Sequence, residues 1–480
     1  MKRSVFFIVM MLYPLLFFAQ SILLDQALGE ENAAMVEAQM GIYIDEEKTE
    51  YLRKVGNRLV SQLEEPLFEY QFHIVTDMSP NAFALPGGYL YVTTGLLPIL
   101  ESEDELACIV AHEIIHSNNR HSVQQLKKSI LPSLLEIPGN LLGVLNEDLG
   151  AIFNAPIQTS NALLLSSYSR KYETEADEEG IQLAAKAGYN PDAMIKALSR
   201  LSKTVEFATG NEEQKSYFSD HPYTPDRTEA IEQQLAVLDW QQKAPISKNF
   251  LYAFDSVLFG NSPNKGVIRE NQFLHPDLDF TIQFPKDWNI DNQPSNVGAY
   301  HPDQQAAVFV SIDDPELSPE QAGQKFIENM DSEYESKMTD ANPYNFKGKD
   351  GYLVSFTDEV EAVTMYAYIL WIPLEDKLFK LIGIAPIEYK PSLEKTASSL
   401  RVLTKEEKRS FKINLLRIVK ARNSETIKTL SARVGNILNE ELTAIINDKT
   451  EDEKSKKDEL VKVVLSYNYS PKQKRWTPIL

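Results

Sequence analysis

The sequence predicts a multidomain α+β protein with a mainly helical domain, then a small α+β sheet domain, then a helical, charged C-terminal region. Three changes of pattern along the 480 residues indicate this order. Apolar residues recur at helical spacing from residue 30 to about 238, and short alternating strands follow from 272 to about 403. A run rich in Lys, Glu and Leu begins after residue 404.

The N-terminus has the pattern of an export signal. Two basic residues precede the apolar run Val5–Ala19, and small residues at Ala19–Ser21 offer a cleavage site. Residues 1–20 are therefore predicted to be a signal peptide, so the mature chain is expected to be exported. An uncleaved membrane anchor is the alternative, although Pro14 shortens the run below the roughly 20 residues that a span needs.

Composition excludes one class of partner. The chain carries 48 Lys and Arg against 69 Asp and Glu, a net charge of -21. A nucleic acid would be repelled by this charge, so protein or peptide partners are expected. Cys108 is the only cysteine and cannot form an internal disulfide, so disulfide pairing says nothing about the redox compartment.

The strongest chemical signal is the segment from Ala111 to His116, which reads Ala-His-Glu-Ile-Ile-His. Residues four apart share one face of a helix, so His112 and His116 can offer two imidazoles to one cation. Glu113 then projects beside them toward a bound water. We expect an amphipathic helix from Glu103 to Arg120. Two structural histidines are the alternative, but the intervening glutamate favours a metal site.

A catalytic zinc ion needs a third protein ligand and an open fourth position. Glu173 is the candidate for this ligand, because it begins a predicted helix that also carries Asp177 one turn later. Asp177 can accept the outer N–H of a liganding histidine and so fix its tautomer. Small Ala176 should let this helix approach the metal-binding helix. The other acids of the segment are predicted to be solvated: Glu175, Glu178 and Glu179.

Further stretches accompany the two metal-binding segments in a fixed order. The stretches are Asn81–Gly88, Glu105–His116, Arg120–His121, Ser169–Asp177 and His221–Arg227. Through them the chain resembles a known family of zinc metallopeptidases, peptidase family M48, which includes the CAAX prenyl protease, the HtpX-like heat-shock proteases and soluble periplasmic relatives. The resemblance covers about the first half of the chain, and its soluble envelope branch fits best, since no later stretch is apolar enough to span a membrane.

The resemblance implies a zincin-type domain over residues 21–245, with Glu173 as the third ligand of a single Zn²⁺. It also implies endopeptidase activity, often on misfolded or misassembled envelope proteins. In the mechanism, Glu113 acts as general base. The oxyanion needs a further donor, which His221 or Arg227 could supply; His221 could instead occupy the open zinc position at rest, and Arg227 could simply pair with an acid.

Residues around the motifs are given supporting roles. His121 follows His116 by five residues and so lies off the helix face that carries the ligands. It is expected to support the ligands from behind or to be structural. A glycine pair followed by alternating side chains predicts a turn into a strand, and an exposed strand edge could bind a substrate peptide through its backbone. An ordinary buried strand is the alternative. The residues predicted to bind substrate in this way are Gly87, Gly88, Tyr89 and Tyr91.

The apolar stretch 130–165 is interrupted by Pro and Gly and is too broken to span a bilayer. It is expected to pack on the catalytic helices, with a lid over the cleft or a contact with the membrane surface as alternatives.

The rest of the chain divides into a linker at 246–270, an accessory domain at 271–404 and a charged region at 405–480. The accessory domain resembles PsbP-like domains through its strand and Pro-x-x-Trp turn at Phe280–Trp288. The charged region is expected to be a solvated helix or a mobile tail without chemistry, although Ile418–Asn447 resembles a LysM unit. The predicted elements of the accessory domain are strands at Phe280–Phe284, Ala307–Ile312, Gly351–Phe356, Val363–Trp371 and Leu378–Ala385 and a helix at Pro319–Met330.

Two functions follow as hypotheses. In the first, the chain is a zinc metalloendopeptidase that cleaves protein or peptide substrates in the cell envelope, in contact with the membrane surface or the envelope assembly machinery. In the second, it is a non-catalytic assembly factor or chaperone with a structural zinc site. A general base beside the metal favours the first, because a binding module has no need of one.

Overall fold

The computed structural model describes residues 22–129, 168–209, 221, 225–243, 247, 249–303, 305–330, 337–360 and 363–471. The predicted signal peptide and the apolar stretch 130–165 lie outside these residues. Within the described ranges, no helix combines the length and the apolar character that crossing a membrane requires.

The first domain is mainly helical, and the prediction of a multidomain α+β chain is confirmed. A three-stranded sheet accompanies the helices: β1 (Gln71–Val75), β2 (Ala82–Leu85) and β3 (Tyr89–Thr93), in the order β1-β3-β2. The helices of this domain are α1 (22–40), α2 (Glu46–Val60), α3 (Glu103–Asn118), α4 (His121–Ser129), α5 (Arg170–Lys186), α6 (Ala193–Thr209) and α7 (Pro225–Leu235).

Helix α3 is the centre of this domain. Ser102 caps its first turn by accepting a hydrogen bond from the Glu105 backbone N–H, which satisfies one of the free donors of a helix start. Every residue from Glu105 to Ser117 is buried, so the expected amphipathic helix is wrong in that α3 has no solvated face. Gly180 of α5 explains the close packing, because a Cβ there would lie 3.1 Å from the Cα of His112.

The strand that follows the glycine pair is not an edge strand. β3 lies between β1, to which it is parallel, and β2, to which it is antiparallel. Tyr91 is fully buried and stacks between His73 and Phe83. A strand with both edges paired cannot add a peptide, so the predicted edge-strand role is wrong for Tyr89 and Tyr91, and the alternative of an ordinary buried strand is the one found. Gly87 and Gly88 lie in the turn before β3, and their substrate-binding role stays a prediction.

Strand β2 and helix α1 complete this part of the fold. The edge strand that contacts α3 is the short β2, which the sequence did not predict. Helix α1 packs over the turn at Gly87 (φ 80°), where a Cβ would lie 3.1 Å from the Cα of Gln26.

The second domain is built on an antiparallel sheet of seven strands, from β7 (Asn289–Asn292) to β13 (Lys377–Pro386), in the order β10-β11-β12-β13-β9-β8-β7. Successive residues of β12 face opposite sides of the sheet, so Tyr368 belongs to the core that includes Leu393 of α10, and Ile369 to the core that includes Ala322 of α9. The two helices therefore cover opposite faces. The elements are β7 (Asn289–Asn292), β8 (Asn296–Tyr300), β9 (Ala307–Asp313), α9 (Pro319–Glu328), β10 (Met338–Phe346), β11 (Lys349–Val360), β12 (Val363–Leu374), β13 (Lys377–Pro386) and α10 (Lys390–Ser399).

The predicted strands and helix of this domain are confirmed, with bounds that differ by a few residues. The predicted strand at Phe280–Phe284 belongs to a smaller antiparallel sheet of three strands, and the first strand of that sheet lies within the predicted linker. Part of the linker is also packed: the backbone N–H groups of Ser256 and Phe259 donate to the carbonyls of Leu416 and Asn414. The elements of this segment are α8 (Phe250–Ala253), β4 (Val267–Arg269), β5 (Gln272–His275) and β6 (Phe280–Gln283).

The expectation of a solvated helix or mobile tail after residue 404 is wrong for 405–471. Two strands pair there in antiparallel fashion, and two short helices lie between them. Lys462 is 1% exposed, and its ammonium lies 2.8 Å from Glu101 and donates to the carbonyl of Leu100, just before α3. The charged composition therefore did not indicate that this part of the chain folds and packs on the first domain. Its elements are α11 (Lys405–Ser410), β14 (Lys412–Lys420), α12 (Ile427–Val434), α13 (Glu440–Ile446) and β15 (Leu460–Asn468).

Candidate metal centre

Four buried side chains from three parts of the first domain converge. His112 and His116 come from consecutive turns of α3, Glu173 from the first turn of α5, and His221 from a position shortly before α7. Each side chain offers one ligand atom, a ring nitrogen or a carboxylate oxygen, and these four atoms all lie within 4.8 Å of one another. The structure thus brings together the three side chains predicted to hold the metal and adds His221.

The separations suit a tetrahedral ion. His112 Nε2 lies 2.9 Å from His116 Nε2 and 3.2 Å from His221 Nδ1. Glu173 Oε1 lies 3.0 Å from His221 Nδ1 and 3.3 Å from His116 Nε2. Bonds of about 2.0–2.1 Å to one zinc ion place tetrahedral ligand atoms about 3.3–3.4 Å apart. The donor set therefore fits Zn²⁺.

The protonation states also suit a metal. Burial lowers the pKa of His112 and sends the pKa of His116 well below its ordinary value, so both rings are neutral, the form that binds metal. Burial alone would raise the pKa of Glu173, but His221, His116 and Arg227 hold that pKa well below its usual value. Glu173 is thus the anion of the set.

Arg227 and Asp177 hold the ligands from behind. Arg227 Nε and Nη2 donate to the two carboxylate oxygens of Asp177, each at 2.8 Å, and Arg227 Nη1 lies 2.8 Å from Glu173 Oε2. Asp177 Oδ1 lies 3.0 Å from His112 Nδ1, which turns the Nε2 lone pair toward the ligand cluster. Arg227 is turned toward the acids, which is the acid pairing that was one of its two predicted roles.

Glu113 lies beside the cluster and not within it. Its side chain is buried, and its Oε1 lies 3.4 Å from His221 Nε2. The His221 ring thus has one nitrogen toward the ligand atoms and the other toward Glu113. A carboxylate in this place can exchange protons with a water molecule near the ligands.

The far side of His116 is covered by two rings. His121 Nδ1 lies 3.0 Å from His116 Nδ1, and the Tyr168 ring stacks on His116 with centroids 3.9 Å apart. Tyr168 was missed because nothing in its local sequence pattern marks it. Glu175, expected to be solvated, is partly exposed and also lies 3.7 Å from His121 Nε2.

Comparisons with known proteins agree with this geometry. The model of peptidase family M48 matches residues 46–235. A putative beta-barrel assembly-enhancing protease of Vibrio cholerae is 32% identical over 197 residues, which cover 39% of this chain and 40% of the relative. A mitochondrial metalloendopeptidase OMA1 of Schizosaccharomyces pombe is 32% identical over 198 residues, which cover 39% of this chain and 53% of the relative.

The chain spans about half the length of these curated relatives or less. Among solved structures, cyanobacterial PsbP from Synechocystis sp. PCC 6803 is 12% identical, covers 28% of this chain and 95% of its own, and gives a TM-score of 0.24. A score this low supports no argument about the second domain.

The matched segment contains each part of the metal centre. It includes α3, α5 and all of α7, with all four convergent side chains and the supporting pair Asp177 and Arg227. M48 is a family of zinc metallopeptidases, and the donor set found here suits that metal. The domain that spans residues 46–235 therefore belongs to peptidase family M48.

Proposed function

We propose that this chain is a zinc-dependent endopeptidase that holds one Zn²⁺ through His112, His116 and Glu173. The observation that carries the proposal is the convergence of four ligand atoms with the buried carboxylate of Glu113 beside them. A purely structural zinc site has closed coordination and needs no base, whereas a catalytic site needs both a base and a position that can open.

Each residue near the site has a distinct part in hydrolysis. Zinc, when bound, lowers the pKa of a coordinated water to about 7 and polarises a carbonyl oxygen. Glu113 accepts a proton from the attacking water and delivers it to the leaving amine. Asp177 keeps the proton of His112 on Nδ1, and Arg227 fixes the carboxylates of Asp177 and Glu173.

His221 fills the fourth position at rest in this proposal. Its Nδ1 lies 3.2 Å from His112 Nε2 and 3.0 Å from Glu173 Oε1, which are distances between ligands of one ion. Water or substrate would have to take the place of the ring, and His221 could then donate to the oxyanion that develops on the substrate. A zinc-bound crystal structure with the metal far from His221 Nδ1 would remove the resting role.

The cellular role proposed is cleavage of misfolded or misassembled proteins of the cell envelope. It is supported by relatives named beta-barrel assembly-enhancing protease, from Vibrio cholerae and Yersinia pestis. Export to the periplasm or envelope and contact with the membrane surface or the assembly machinery belong to the same proposal. The second candidate, a non-catalytic assembly factor or chaperone, is disfavoured by the buried Glu113 beside the ligands.

The test of the activity uses the purified full chain and casein as an unfolded substrate. We expect cleavage by the zinc-loaded chain, loss of cleavage after removal of zinc with a chelator, and recovery on stoichiometric zinc. Peptide products are read by mass spectrometry. Binding of casein without any cleavage by the zinc-loaded chain would instead favour the chaperone function.

A further inference from the structure

The two histidines of α3 are supported by different chemistry. His112 Nδ1 lies 3.0 Å from the carboxylate of Asp177, the usual kind of partner for a metal-binding histidine. His116 Nδ1 faces no such carboxylate directly; it lies 3.0 Å from Nδ1 of a second imidazole, that of His121. His121 is fully buried, and its ring stacks on Tyr172 with centroids 4.5 Å apart.

Proton placement follows from this contact. His116 directs Nε2 at the ligand cluster, so its neutral ring carries the proton on Nδ1. That N–H donates to Nδ1 of His121, which must therefore be the unprotonated nitrogen of its ring. The proton of neutral His121 is then on Nε2. One tautomer of His121 supports the metal ligand, and the other would set two N–H groups against each other.

A carboxylate lies where it favours this tautomer. Glu175 Oε1 is 3.7 Å from His121 Nε2, beyond a direct hydrogen bond but close enough for its charge to attract the N–H. Within the described part of the chain, His121 Nε2 has no direct hydrogen-bond partner, so the nearby carboxylate is its polar neighbour. Asn119 holds Glu175 in place by donating from Nδ2 to the same oxygen at 3.0 Å.

We propose that His121 and Glu175 are a positioning pair for the second histidine ligand: His121 fixes the tautomer and ring orientation of His116, and Glu175 fixes the tautomer of His121. This inference rests on the zinc site proposed above. Neither residue contacts the substrate. Because Glu175 lies two residues after Glu173 on α5, one helix supplies both a ligand and the support for another ligand.

The test measures zinc affinity by competition with a chelating indicator, independently of hydrolysis. His121→Phe keeps a ring against Tyr172 but cannot accept a hydrogen bond, and it should weaken zinc binding by about 10–100-fold, the effect of losing an outer partner of a ligand. His121→Asn places an amide oxygen near the position of Nδ1 and should recover most of that loss. The thermal unfolding of the metal-free variants shows whether the fold is kept.

Glu175 provides a second variant at a partly exposed position, where folding is not at risk. Glu175→Leu should weaken zinc binding by about 10-fold, the lower end of the range expected for His121→Phe. Glu178→Gln changes an exposed acid of the same helix and should leave zinc binding unchanged. If the unaltered chain binds zinc tightly and His121→Phe and Glu175→Leu bind it equally well, the positioning pair is wrong and the zinc site stands. If the unaltered chain binds no zinc, the proposed function itself fails.

Discussion

Replacing Glu113 with Gln should abolish peptide hydrolysis while the chain keeps its zinc. The amide has nearly the shape of the carboxylate but cannot accept the proton of the attacking water. Loss of a general base costs about 10²–10⁴-fold in turnover. Glu113 is not among the convergent ligands, so the zinc content of the Glu113→Gln chain should equal that of the unaltered chain.

The measurement compares turnover of a casein-derived peptide with zinc content in the same preparations. Glu178→Gln is the matched control, because it makes the same change at an exposed position on a neighbouring helix. Equal turnover in the Glu113→Gln chain and the control would show that another group acts as the base.

Replacing Glu173 with Gln should remove both zinc and activity. Glu173 is the one carboxylate among the four ligands. Replacing it with an amide leaves no negative charge among the ligands to offset the two positive charges of the ion. We expect zinc affinity to fall by more than about 100-fold, since even the outer partners of ligands are worth about 10–100-fold. Activity at limiting zinc should fall below detection.

Fold and metal binding have to be separated in this variant. Arg227 keeps its two bonds to Asp177 when Glu173 is neutral, so the metal-free Glu173→Gln chain should still fold. Zinc affinity is measured by chelator competition, and folding by thermal unfolding of both metal-free chains. A Glu173→Gln chain that binds zinc as tightly as the unaltered chain would show that this carboxylate is not a ligand.

Local periodicity is what made the metal site predictable. A helix fixes the relation between residues three and four apart, so the shared face of His112 and His116 and the pairing of Glu173 with Asp177 follow from spacing. His221 has no such local signal, since it lies 48 residues beyond Glu173, and only the family resemblance pointed to it. Helical phase cannot show which side chains approach from distant segments.

The position of His121 has a non-local cause. His121 was judged by its spacing along a helix that was expected to continue to Arg120, but α3 ends at Asn118 and Arg120 adopts a φ of 58°, which turns the chain so that α4 starts beside His116. The same turn brings His121 to Glu175.

Strand order could not be derived either. The pattern of β3 fits an edge strand or a central strand, and the short β2 that covers its second edge has no alternating signature. Lys462 shows the same limit for composition, because a lysine in a charged region was found buried against Glu101.

The central claim is that one zinc ion is shared by side chains of α3 and α5 with His221 at rest. A crystal structure of the zinc-loaded chain, with anomalous diffraction recorded at the zinc edge, measures this directly. We expect one anomalous peak at about 2.0–2.2 Å from His112 Nε2, His116 Nε2, a Glu173 carboxylate oxygen and His221 Nδ1. No peak among these atoms, or a zinc ion bound elsewhere while these side chains remain metal-free, would contradict the account.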